Sequence, residues 1–137
     1  MPQHLLNRLQ KVQNNAARLI SKAPKTDHIT PHLRTLRWLP IDARIKYKLC
    51  LLCFGAITST GPVCLSDLRE IYTPSRQLRF SADIRILCIP SGNTKSYGER
   101  SFSYTAPTLL NTLPKDIRFF QSISSFRSAL KSHLFPT

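Results

Sequence analysis

Through residues 6–22, LNRLQKVQNNAARLISK, apolar residues recur at spacings of three and four, the signature of an amphipathic helix. At about 100° per residue, Leu5, Leu9, Val12, Ala16 and Leu19 share one sector, widened by Leu6 and Ile20. Arg8, Lys11, Arg18 and Lys22 share another, with Asn15 among them. Ala16 and Ala17 favour the helix, and Pro24 and Lys25 end it. A helix of this length is marginal alone in water, so the apolar stripe is expected to be anchored on the third and C-terminal helices.

The pattern continues with a short second helix in HITPHLRTLRWLP (28–40), with Pro31 at a first-turn position and Asp27 or Thr30 as cap. A third helix, IDARIKYKLCLLCFGAITS (41–59), starts amphipathic and becomes almost wholly apolar from Leu49 to Ile57, which predicts burial on every side there. A fourth helix is predicted over 63–72. From Thr73 the texture turns to Ser, Pro, Gly and Arg. There IRILCIP (84–90) and SFSY (101–104) can pair as a short hairpin around a turn-prone stretch. Helical signals return in APTLLNTLP (106–114), KDIRFF (115–120) and SSFRSALKSHLF (124–135). The predicted fold is mainly α: a small helical assembly with an irregular middle that can hold a β-hairpin. Three segments follow: a basic helical part (1–72), the Ser/Pro/Gly/Arg-rich middle (73–104) and the C-terminal helices (105–137), all within one domain or fragment.

Charge sharpens this picture. The 137 residues carry a formal net charge of +13, and residues 1–48 hold ten Lys/Arg against only Asp27 and Asp42. The basic stripe of the first helix has no acid at helical spacing, so it is not an internally paired face. Such a footprint points to a polyanionic partner, usually nucleic acid. Lysine and arginine neutralise phosphates, and exposed aromatic rings stack on unpaired bases. The candidate contacts are Arg8, Lys11, Arg18, Lys22, Arg34, Arg37, Arg44, Lys46, Lys48, Arg76 and Arg79. Trp38 reads first as a core anchor, and Tyr47 is open between core and surface.

Other chemistry finds little support. Cys50 and Cys53 have the spacing of a zinc or redox pair, but they lie in the most apolar helix, where cysteine packs as a small hydrophobe. Cys64, Cys88, His28 and His32 do not complete a ligand set, so no metal and no cofactor is expected. The chain holds no phosphate-binding loop, dinucleotide fingerprint or hydrolase motif. FSAD (80–83) offers Asp83 alone, followed by Ile84, and one carboxylate cannot hold two metal ions. The expectation is a protein that is not an enzyme and has no small-molecule substrate. No apolar run reaches the ~18 residues of a membrane span, and the first residues lack a secretory leader pattern. No membrane partner is expected, and the four thiols suit an intracellular chain, nuclear or cytoplasmic.

Five blocks in order, LQKVQNNAARLI, DHITPHLRTLRWLPIDARIKYKLCLL, YTPSRQLR, KSYGERSFSYTAPTLLNTLP and SFRSALKSHLF, carry a resemblance that spans nearly all 137 residues. The chain resembles the C-terminal region of reverse transcriptases encoded by non-LTR (LINE-type) retrotransposons, in the chicken-repeat and Jockey-like branch. Two departures stand out: Cys64 replaces a usual aromatic, and FGAITSTGP replaces a lysine-bearing helix end, which is expected to loosen that turn. The resemblance implies a tail that follows the polymerase domains, with the catalytic aspartate loop and the endonuclease elsewhere. It implies a truncated insertion, with Met1 an accidental start, that grips RNA or DNA without catalysis. It assigns no residue a role. The alternative expectation is a helical packing segment of the missing polymerase with no independent function.

Overall fold

The computed structural model describes residues 2–65, 86–90, 98 and 101–135. Six helices follow in order: α1 Gln3–Ser21, α2 Ile29–Thr35, α3 Ile41–Ile57, α4 Phe102–Thr112, α5 Lys115–Arg118 and α6 Ile123–Leu134. The protein is mainly α, as its periodicity predicts, and no strand lies among the described residues. The chain divides into two compact units, residues 1–47 with 131–137, and residues 48–130. The predicted helix over 63–72 is described only to Leu65, as a single tight turn, and its remainder lies outside the described residues.

In the first unit α1 is fastened by amides. Gln13 is buried, and its Nε2 donates to the Leu39 carbonyl at 2.8 Å. Gln10 Oε1 accepts the Ile41 N–H at 2.8 Å, while Gln10 Nε2 donates to Gln13 Oε1 at 3.0 Å. Ile41 opens α3, so its N–H has no partner within its own helix. Gln10 supplies that partner from another element, the service that a serine or aspartate cap usually performs. Ala17, with no exposed surface, completes the buried side of α1.

This arrangement corrects the predicted anchoring of α1. Leu5, Leu9, Val12 and Leu19 are 38%, 45%, 66% and 81% exposed, and Ile20 is exposed too. Burying the Gln10–Gln13–Ala17 side turns the Leu/Val stripe into solvent. The physical reason is that Leu39 C=O and Ile41 N–H need partners, and leucine has none to give.

The first three helices end in the same way. Lys22, Arg37 and Ser59 take left-handed backbone, with φ of 52°, 53° and 58°. Beyond them, Ala23, Trp38 and Thr60 donate back to the carbonyls of Arg18, Leu33 and Gly55. That is the Schellman closure, with a residue other than glycine in the position glycine favours. After α3, Gly61 also donates to the Gly55 carbonyl at 2.9 Å, and a Cβ on Gly61 would stand 2.8 Å from the Gly55 backbone. The turn expected to be loose is thus closed and hydrogen-bonded.

The second unit has the larger hydrophobic centre. Phe126 and Leu130 of α6 are fully buried. Phe54 stacks on Phe126 with ring centroids 4.0 Å apart. Cys50, Cys53 and Ala56 line the buried side of α3. That helix is not enclosed all round, because Leu52 is 40% exposed. The second arm of the predicted hairpin, SFSY, is instead the start of α4, which runs from Phe102 through Pro107. Leu87, in the first arm, is buried, and both its backbone groups pair with the Asn111 amide at 3.1 Å. Leu87 also stands in an isolated β-bridge, so strand-type pairing survives there as a single contact; residues 84–85 lie outside the described residues.

Replacing Gln13 by Ala removes the partner of Leu39 C=O and is expected to lower stability by about 1–3 kcal/mol. A thermal melt of Gln13→Ala that matches the parent would show that this amide does not hold α1.

Candidate nucleic-acid interface

Along α1 the cations occupy a side of their own. Arg8 and Lys11 are exposed, as is Lys22 at the helix end. No Asp or Glu occurs before Asp27. Arg37, in the left-handed turn after α2, is exposed, and so are Arg44 and Lys48, four residues apart on α3. Arg34 is exposed and makes its own contact.

Two predicted contacts have other partners. Arg18 is half-buried, and one of its terminal nitrogens donates to the Asp27 carbonyl at 3.0 Å, bracing the α1–α2 link. Its Nε is buried with no hydrogen-bond partner. Lys46 Nζ lies 2.6 Å from the Asp42 carboxylate, an i,i+4 pair on the α3 surface. Such an exposed pair contributes little to stability but lowers the positive field at that point. Asp27 lies 4.0 Å from His32 Nε2. Both acids that residues 1–48 hold are therefore beside a basic group already. Arg76 and Arg79 lie outside the described residues.

Of the two aromatic candidates, Trp38 and Tyr47 are each half-buried.

No protein-family model, curated protein or solved structure matches this chain.

Cys50 and Cys53 lie buried on the apolar side of α3. Burial raises the Cys50 thiol from its ordinary 9.0 to about 11. Burial, and then the neighbouring Cys50, raise Cys53 to about 12. Zinc and disulfide chemistry both need the thiolate, which these surroundings disfavour. Among the described residues no three His, Cys, Asp or Glu side chains converge on a metal site. No described helix is long and apolar enough to cross a membrane.

One cation outside the predicted contacts has a distinctive setting. Arg118, on α5, borders a cavity of about 430 Å³ with Phe54, Ile57, Thr58, Leu87, Leu110 and Gln121. Its Nε is buried and lacks a hydrogen-bond partner. Nothing in the local pattern KDIRFF separates this arginine from a solvated one, because the cavity is formed by residues distant in sequence.

Two outcomes follow from this geometry. Cys64 and Cys88 are exposed and are expected to react rapidly with a thiol reagent at pH 8, whereas Cys50 and Cys53 react only on unfolding. Four equally fast thiols would contradict the buried pair. The folded state holds the Cys50 and Cys53 protons more tightly than the unfolded chain does. The resulting stability is therefore intact below pH 9.0 and is lost as pH rises through about 11 and 12. Separately, Lys22→Gly and Arg37→Gly each remove a side chain from left-handed backbone and are expected to raise stability by up to about 1 kcal/mol. A drop in melting temperature in either variant would show that the side chain supports the fold.

Proposed function

We propose that this protein is a non-catalytic nucleic-acid-binding segment, related to the tail of a LINE-type reverse transcriptase and lacking polymerase and endonuclease sites. In this reading it binds RNA or DNA in the nucleus or cytoplasm, beside a reverse transcriptase domain. Phosphates are neutralised by Arg8, Lys11, Lys22, Arg37 and Arg44.

The observation that carries the reading is the imbalance in residues 2–47, where nine Lys/Arg meet only Asp27 and Asp42. Those two carboxylates lie beside His32 and Lys46. Solubility needs no such one-signed surface, and a fixed field of this sign attracts polyanions and concentrates them. Lys22 and Arg37 add a second support. Each keeps a long cationic side chain where glycine is the favoured residue, a local cost that a phosphate contact would offset.

The reading is tested by titrating the full chain with RNA and DNA oligonucleotides across a range of salt. Log affinity is expected to fall with log salt by about 0.9 per phosphate contacted on duplex DNA, and about 0.7 on single strands. Lys22→Gly and Arg37→Gly should each lower that slope by about one contact while the fold persists. Affinity that does not respond to salt, or no binding at low salt, would end the proposal.

A further inference from the structure

The exposed stripe of α1 keeps a regular order. Leu5, Leu9, Val12, Ala16 and Leu19 follow at spacings of four, three, four and three. That is the a/d seam of a two-stranded helical pairing, continued over two heptads. The seam runs about 21 Å along the helix at 1.5 Å per residue. Its four large residues are exposed, and they are contiguous rather than scattered, which marks an interaction surface. The neighbouring side of α1 is already committed through Gln13 to Leu39 and through Gln10 to the start of α3. Leu5, Leu9, Val12 and Leu19 stay outside that contact and are open to a partner approaching from the Arg8–Lys22 side.

The flanks say what that partner is. On one side of the seam stand Arg8, Asn15 and Lys22; on the other stand Leu6, Gln13 and Ile20. In paired helices the flanking positions choose the partner by charge. We propose that this seam docks one α-helix of a partner protein, apolar along its own seam and carrying carboxylates where it meets Arg8 and Lys22.

A second copy of this chain fits poorly. Antiparallel pairing sets the Arg8–Lys22 flank against itself, with no carboxylate in residues 2–26 to relieve the repulsion. Parallel pairing sets it against Gln13, whose amide is held by Leu39. A lipid surface also fits less well. Interfacial helices bury a broad apolar face anchored by Trp or Phe, whereas α1 has no aromatic residue and Gln13 and Asn15 hem its seam.

The test uses the full chain and a synthetic helical peptide with Leu along its seam and Glu on both flanks, beside an otherwise identical peptide with Lys flanks. The Glu peptide is expected to bind one-to-one, about tenfold or more tighter than the Lys peptide at low salt. Val12 and Leu19 are exposed, so Val12→Ser with Leu19→Ser leaves the core untouched. That double variant should weaken peptide binding by about tenfold with the salt dependence of oligonucleotide binding unchanged. A second variant, Arg8→Glu with Lys22→Glu, should reverse the preference toward the Lys peptide. Equal affinity for the two peptides, no binding of either, or indifference to the serine substitutions would overturn the proposal. So would self-association of the chain through the seam, or tighter binding to phosphatidylserine vesicles than to the Glu peptide.

Discussion

The rotation of α1 about its own axis is set by two glutamines. Gln13 gives its amide hydrogen to the Leu39 carbonyl, and Gln10 receives the N–H that opens α3. Leaving either backbone group buried and unpaired costs about 1–3 kcal/mol, comparable to what one leucine gains by burial. Directionality then decides the outcome. A leucine stripe can be buried at many rotations, whereas a carbonyl and an N–H in fixed positions accept only one. The result is a helix held by its polar side, with a cationic row and an apolar seam both left outward.

That inversion links the two surfaces to one cause. If the leucines of α1 were its anchor, the helix would have a single functional side and the cations would be an ordinary solvated face. Held by amides, it shows solvent two adjoining faces of different chemistry, a cationic row and an apolar seam. The ends of α1 and α2 add to the first of these. Lys22 and Arg37 occupy the left-handed position of each closure, so the same residues that terminate the helices also carry exposed charge.

Much of the fold was legible from periodicity, because α1, α3 and α6 have apolar spacings that only a helix satisfies. Their boundaries shifted by a few residues, and α4 began at Phe102 because Ser101 turns the chain into a helix that accommodates Pro107. The side of α1 that is buried was not legible. Hydropathy ranks leucine above glutamine, and nothing in residues 3–21 announces the backbone groups of Leu39 and Ile41 that claim the amides. The same blindness applies to Asn111, whose amide clamps both backbone groups of Leu87 from a distant helix. For the candidate interface, the concentration of charge could be counted directly. The diversion of Arg18 to a loop carbonyl could not, since it depends on the path of the α1–α2 link.

The account rests on which side of α1 faces water, and methyl NMR with a soluble paramagnetic probe reads that most directly. With the full chain labelled at Leu and Val methyl groups, the probe should broaden Leu9, Val12 and Leu19 strongly and spare Leu33, Leu110 and Leu130. Protection of Leu9, Val12 and Leu19 to the level of Leu130 would mean that α1 is anchored by its apolar stripe, and the amide-held arrangement would be wrong.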